Sequence, residues 1–276
     1  MSRPPGAGIT KAVAAPARTQ DGGPMPVAVI TGGASGIGAA TARELAARGY
    51  RVVVTDVDEG ACATVAGGLE HARSRRLDVT DAAAATEVAE SIFAEYSCLV
   101  VWVSNAAVSH MAPFTDVTLE DLDRTLAINL RGVFVCGQAA ARVMRGCGRG
   151  GVIINTASMA GKQGRVPYLS DYVASKFAVV GLTQAMAFEL AADGIRVNSV
   201  CPGYVATPMQ DRELAWEGAL RGIPAEQVRQ LWLDDTPMGR LETAEDVARV
   251  VAFLAGEDAG FITGEAIAVN GGAFMD

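Results

Sequence analysis

The chain reads as an α/β protein, a single domain built on a doubly wound parallel sheet of about seven strands with helices on both faces. Three observations point there. Short apolar runs alternate with longer helical segments along most of the chain. Runs such as Val52-Val53-Val54 and Leu99-Val100-Val101-Trp102-Val103 are continuously apolar, as in strands covered on both faces. A glycine-rich turn, Thr31-Gly32-Gly33-Ala34-Ser35-Gly36-Ile37-Gly38, joins the run Val27 to Ile30 to the alanine-rich segment Ala39 to Arg48, which gives strand, turn, helix.

Residues 1–25 are rich in Pro, Ala and Gly without a period and are expected to form a disordered tail, with Met25 as a possible alternative start; the folded domain is expected over 26–276. The glycine turn comes next. Glycine lets a chain turn tightly and bring its amides against an anion, and the helix that follows adds its free N–H groups and dipole. The pattern is T-G-x-x-x-G-x-G, one residue wider between its first two key glycines than the usual G-x-G-x-x-G, and a plain tight turn is the alternative. Strand two, Arg51 to Thr55, ends at Asp56. An acid about 20 residues beyond such a turn can accept from adenosine ribose hydroxyls and repels a 2′-phosphate, which selects NAD over NADP; a solvated strand-end carboxylate is the alternative.

Ala72 to Leu77 is a weaker strand ending in Asp78-Val79, which either frames adenine or caps the next helix. Ala82 to Tyr96 is helical. The apolar strand Leu99 to Val103 ends in Ser104-Asn105-Ala106-Ala107, and Thr118 to Asp121 opens a helix with a capping box. That helix carries Asn129. Gly151 to Thr156 is a strand followed by Ser158, Ser170 to Ala192 is a helix bearing Tyr172 and Lys176, and Arg196 to Val200 is a strand broken by Cys201-Pro202-Gly203. The stretch 204–240 is long enough to act as a lid; Thr243 to Ala255 is a helix, and Gly264 to Val269 the last strand.

Tyr172 and Lys176 lie four apart and share a helix face. A fixed ammonium favours tyrosinate, so the phenol's pKa is expected to fall and the pair to act as a general acid/base. Ser158 is placed to hydrogen-bond a substrate oxygen, or else is a turn serine. Asn129 either holds water toward Lys176 or bonds the backbone locally.

Composition excludes other classes. Hydrophobic residues make up 50% of the chain and the net charge is −8, which argues against a nucleic-acid partner. No apolar run approaches the ~20 residues that span a bilayer. Five scattered cysteines without a C-x-x-C pair suit a reduced, cytoplasmic compartment, and two histidines are too few for a histidine-built metal site, so no metal is expected.

Taken together, the glycine turn, Asp56, Asp78-Val79, Ser104 to Ala107, Asn129, Ser158, Tyr172-Val-Ala-Ser-Lys176, Pro202-Gly203 and Asn270-Gly-Gly272 resemble the short-chain dehydrogenase/reductase family over nearly all of 26–276. The resemblance implies a Rossmann-like fold and a catalytic tetrad of Asn129, Ser158, Tyr172 and Lys176. It implies that NAD is bound by Gly32, Ser35, Gly36, Ile37, Gly38, Asp56, Asp78, Val79, Asn105, Tyr172, Lys176, Val205 and Thr207, and that the protein is a homotetramer. Segments near Glu226 to Gly239 and the C-terminus resemble sorbitol-type polyol dehydrogenases, which implies oxidation of a polyol or sugar alcohol. Other NAD-linked alcohol or ketone chemistry, on acetoin or butanediol, sugar-phosphate or 3-oxoacyl substrates, is the alternative, and a non-catalytic NAD-sensing protein a more distant one. The sequence departs from the family at Ser104 and Ala107, where Asn and Gly are usual, at Val100 in place of Asp, and in the fourteen-residue step from Ser158 to Tyr172, one longer than typical. The extra residue is expected to bulge within 164–170. Polar pocket candidates are His110, Lys162, Gln163 and Arg165; the lid's Trp and Met are read as packing, and Arg212, Arg221, Arg229 and Arg240 as solvated, with an anion contact by one of them as the alternative.

Overall fold

The computed structural model describes residues 25–97 and 99–275, so the expected tail lies outside the described residues apart from Met25. Seven strands form one parallel sheet: β1 (Val27–Thr31), β2 (Arg51–Asp56), β3 (Ala72–Arg76), β4 (Val101–Ser104), β5 (Gly151–Thr156), β6 (Ile195–Pro202) and β7 (Ala266–Val269). Their order is 3-2-1-4-5-6-7 and every strand pairing is parallel. The helices are α1 (Gly36–Ala47), α2 (Glu59–Gly67), α3 (Ala82–Tyr96), α4 (Leu119–Leu126), α5 (Gly132–Cys147), α6 (Ser170–Leu190), α7 (Pro208–Arg221), α8 (Ala225–Asp234) and α9 (Ala244–Ala255).

Strand side chains alternate between faces, and the two faces have separate cores. Ala28, Ile30, Val52, Val54, Val101 and Val103 pack with α1, α2 and α9. Val27, Val29, Val53, Trp102 and Ile153 pack with α3 and α5. Each such buried aliphatic side chain contributes about 1.5–3 kcal/mol. The central strands need apolar residues at every position, as the sequence shows.

The strand order reverses its winding between β1 and β4. The chain leaving β1 crosses to one face and the chain leaving β4 to the other, so a crevice opens at their carboxyl ends. Gly32 follows β1 there, and Asn105 follows β4. Helix α6, counted on to Asp193, has the length and mean hydropathy (1.2) of a bilayer-crossing segment, which core helices of soluble proteins also have. In the fold it packs on β6 and carries Tyr172 and Lys176.

Candidate active site

At the crevice the glycine turn is held from below. Asn105 Nδ2 donates to the carbonyls of Thr31 and Gly32 at 3.2 and 3.0 Å, and Thr31 Oγ1 accepts from the amides of Asn105 and Ala106. Gly32 has φ +63°, and a Cβ there would sit 2.7 Å from the Ala106 Cα. A Cβ on Gly38 would collide with the Gly32 carbonyl. These two positions explain the glycine spacing: the turn is pressed against both the β4 loop and its own helix. Ala107 takes no left-handed φ, as its Cβ requires.

Ser35 is the N-cap of α1 but makes no side-chain cap bond, and the first turn of the helix holds no acid. Its orphan amides and dipole are therefore free for an anion. Asp56, at the end of β2, accepts from the Ala34 amide at 3.3 Å. Its partner across the sheet is Arg76, a neighbour that local reading of Asp56-Val57-Asp58 could not reveal.

Asp78 turns away from the crevice. Its Oδ1 accepts from Thr80 N and Oγ1 at 2.9 and 2.8 Å, which holds its pKa below the usual carboxylate range. Val79 lies against Gly132. Neither lines the cavity described below. The helix cap is Asp81, which accepts from Ala83 and Ala84.

Asn129 is not in an α-helix but in a π-helical stretch, Ala127–Arg131, a feature that recurs at functional sites. It is fully buried, and its amide is committed to the Val108 backbone: Nδ2 donates to Val108 O and Oδ1 accepts from Val108 N, each at 2.8 Å. Nδ2 also reaches Ser175 Oγ at 3.2 Å. The partner is backbone from a distant loop. Asn129 thus ties the β4 loop to α6.

Ser158 follows β5. Its Oγ accepts from the Ala160 amide at 3.1 Å, which leaves the hydroxyl proton to point outward. Tyr172 and Lys176 rise from the first turns of α6. Lys176 is 2% exposed, with Nζ donating to Thr156 O at 2.8 Å and lying 5.4 Å from the Tyr172 ring centroid. Burial lowers the ammonium's pKa to about 8. The Tyr172 phenol is pushed the opposite way from the sequence expectation: burial raises it, the Glu213 carboxylate raises it further, and the Ser158 hydrogen bond lowers it. Desolvation of the phenolate outweighs a lysine that is itself desolvated.

The loop before α6 absorbs the extra residue as a turn at Pro167-Tyr168, in which Tyr168 takes φ +63°. A left-handed non-glycine residue costs about 1–2 kcal/mol. Ala112 N donates to Tyr168 O at 3.0 Å, and the Arg221 guanidinium lies 5.9 Å from the Tyr168 ring, so the bulge is fastened to the lid.

One cavity of about 470 Å³ joins these parts. Gly32, Ser35, Gly36, Ile37, Asp56 and Asn105 line it, as do Ser158, Tyr172 and Lys176, with Val205 and Thr207 from the lid. Gly38, Asp78, Val79 and Asn129 do not line it. Of the polar candidates only Arg165 does; Lys162 Nζ instead donates to Ala266 O at 2.6 Å, and His110 lies 4.0 Å from Asp121. The lid contributes Glu213 and Glu217, which local sequence reading passed over, and Arg221 and Trp232, which it read as solvated and as packing. Trp232 Nε1 donates to Glu217 Oε2 at 3.2 Å, and its ring stacks on Tyr204 at 5.0 Å, so it packs and also positions a carboxylate. Arg221 is not merely solvated, since its Nε donates to Glu217 Oε1 at 2.6 Å.

Known proteins share this arrangement. A family model described as enoyl-(acyl carrier protein) reductase matches residues 32–273. A cis-4-hydroxycyclohexanecarboxylate dehydrogenase of Sinomonas cyclohexanicum is 42% identical, over 89% of this chain and 95% of its own length. Galactitol 2-dehydrogenase of Agrobacterium fabrum is 36% identical over 90% and 97%, and human (3R)-3-hydroxyacyl-CoA dehydrogenase 39% over 90% and 95%. The crystal structure of a short-chain type dehydrogenase/reductase from Mycobacterium marinum superposes with a TM-score of 0.83 at 36% identity, covering 91% of this chain and 96% of that one. With a glycine turn at the sheet's switch point, a Tyr–Lys pair opposite it and relatives matched over nearly their whole length, the chain belongs to the short-chain dehydrogenase/reductase family, and it resembles the family's polyol dehydrogenases.

Proposed function

We propose that this oxidoreductase transfers hydride between a secondary alcohol, a polyol or sugar alcohol, and NAD, yielding a ketose. The observation that carries the reading is the single cavity that holds both the glycine turn with Asp56 and the Ser158–Tyr172–Lys176 group. The residues suit the cofactor: uncapped α1 amides for the diphosphate, the Asp56 carboxylate for ribose hydroxyls, Lys176 for the nicotinamide ribose, Asn105 beside the ring, and Val205 and Thr207 for the carboxamide. NAD, when bound, supplies the hydride acceptor.

The protein's part is to hold oxygen and proton. The single Ser158 hydroxyl proton, held toward Tyr172 in the structure, is given to the carbinol oxygen when substrate binds. In oxidation Tyr172 takes the hydroxyl proton; in reduction it gives one back. The raised phenol suits the acid role at neutral pH and makes oxidation an alkaline reaction. The Lys176 ammonium offsets tyrosinate charge within the cavity. Asn129 is a positioning residue that holds the Val108 segment on α6. Asp56 favours NAD over NADP by repelling a 2′-phosphate. We place the protein in the cytoplasm as a homotetramer acting on a small molecule, with exposed Phe134 and Phe177 on α5 and α6 supporting association.

A second reading has one observation behind it. Arg165 lines the cavity as an exposed cation, which suits an anionic tail remote from the carbinol, as the names of the hydroxyacyl-CoA and cyclohexanecarboxylate relatives suggest for those proteins. A turnover panel over polyols, diols and hydroxyacyl compounds, run with NAD and NADP side by side, separates the readings. NADH formed fastest from polyols supports the first. Turnover confined to acyl thioesters, or to NADP, contradicts it.

A further inference from the structure

The face of α7 that looks into the cavity carries more polar chemistry than hydride transfer uses. Glu213 and Glu217 lie one helical turn apart, and they are 8% and 4% exposed. Glu217 is spent on protein partners, with Arg221 on one oxygen and Trp232 on the other. Glu213 has no such pair. Burial raises its pKa, the Ser109 hydrogen bond and the Arg212 charge oppose that and Glu217 adds to it, and its carboxyl lines the cavity it shares with Ser158 and Tyr172. One turn back, Gln210 also lines the cavity, and its buried Oε1 accepts from no donor among the described residues.

A buried acceptor that the protein leaves unmet is costly until a ligand meets it. A substrate with bare hydrocarbon beside the reacting carbon leaves Gln210 Oε1 unmet and gives the Glu213 carboxyl no donor beyond Ser109. A substrate with a carboxylate there sets like charge against like in a dry pocket. A neutral hydroxyl on the neighbouring carbon fits, because it donates to Glu213 while the reacting oxygen lies with Ser158 and Tyr172.

We propose that Glu213 is a specificity-determining residue that receives the hydroxyl adjacent to the reacting carbinol, so that the pocket takes neutral vicinal diols and polyols and rejects an anionic group at that position. This rests on the reaction proposed above and names the substrate class within it.

The test uses the full chain with NAD and four-carbon substrates matched at the reacting carbon: butane-2,3-diol, butan-2-ol and 2-hydroxybutanoate. Wild type is expected to prefer the diol to butan-2-ol in kcat/KM by about 10- to 100-fold, and Glu213→Leu to lose most of that preference. Glu213→Gln keeps the shape and removes the charge; it is expected to raise the ratio of 2-hydroxybutanoate to diol by at least about tenfold. If circular dichroism shows that the leucine variant does not fold, the glutamine ratio decides alone. Either ratio staying within about threefold of wild type, in a folded variant, overturns the assignment. If wild type forms NADH from none of these substrates nor from galactitol, the reaction itself is misread and this assignment falls with it; turnover with unmoved ratios defeats the Glu213 role alone.

Discussion

Tyr172 is half-buried, and desolvation of its phenol together with the Glu213 charge, against the Ser158 hydrogen bond, leaves its proton tightly held. Alcohol oxidation needs the phenolate, so kcat/KM for oxidation is expected to climb with pH through the alkaline range, while reduction, which needs the phenol, stays level until that range. Glu213 is the charge that raises the phenol, so Glu213→Gln is expected to move the alkaline rise to lower pH for any substrate turned over; a pH profile of NADH formation in both proteins checks this, and a shift to higher pH contradicts the assigned sign. Lys176 keeps its ammonium below about pH 8. At the other end of the cavity, Asp56→Ser is expected to raise the NADP-to-NAD ratio of kcat/KM by about tenfold or more, since one like-charge repulsion costs a kcal/mol or more in a partly buried site. Steady-state kinetics with both cofactors measures it. The glycine turn, Tyr172 and Lys176 were legible because their chemistry depends on neighbours one helical turn away. The direction of the phenol's shift was not, because it depends on burial and on Glu213, which is 41 positions further on.

The lid is anchored at its base by Glu242. This carboxyl accepts from Gly203 N at 2.9 Å, while its backbone pairs with Tyr204 and Ala206 and bridges Val205. Burial raises its pKa to about 8. The native state therefore keeps a proton that the unfolded chain sheds near its ordinary pKa of about 4.3, and this group's contribution to stability is lost as pH rises from there through about 8. Glu242→Gln carries no such loss. Its melting temperature relative to wild type is expected to be higher at pH 8 than at pH 5 by about 4 °C, read by thermal melts at both pH values; an equal offset at the two contradicts a buried neutral carboxyl. The start of α9 is held by a full capping box between Thr243 and Asp246. Thr243→Ala is expected to cost about 1 kcal/mol, or about 2–4 °C in Tm, with kcat unaffected. Elements with continuous apolar runs or caps could be read from sequence, since those signals are local. The lid's inward face could not: α7 mixes acids, apolar residues and arginine around its circumference, and docking over the crevice decides which side is buried. The same holds for the π-helical turn at Asn129 and the left-handed Tyr168, which answer to the loops packed on them.

At the scale of the molecule, the strand order makes the site. Reversal between β1 and β4 opens the crevice, the β1 and β2 ends present the glycine turn and Asp56, and the β5 end with α6 presents Ser158, Tyr172 and Lys176. Alternation of strands and helices was enough to foresee this sheet, because parallel strands require crossovers and crossovers require helices. Register across the sheet, such as Arg76 opposite Asp56, was beyond local reading. The central claim is that this crevice brings the Tyr172 phenol to a carbinol oxygen during hydride transfer. The most direct test is NADH formation from a polyol or vicinal diol by wild type and by Tyr172→Phe, with cofactor binding followed by NADH fluorescence. The expected result is turnover by wild type, a fall in kcat of about 10²- to 10⁴-fold in the variant, and NADH affinity within a few-fold of wild type. Comparable turnover by the two proteins would contradict the account.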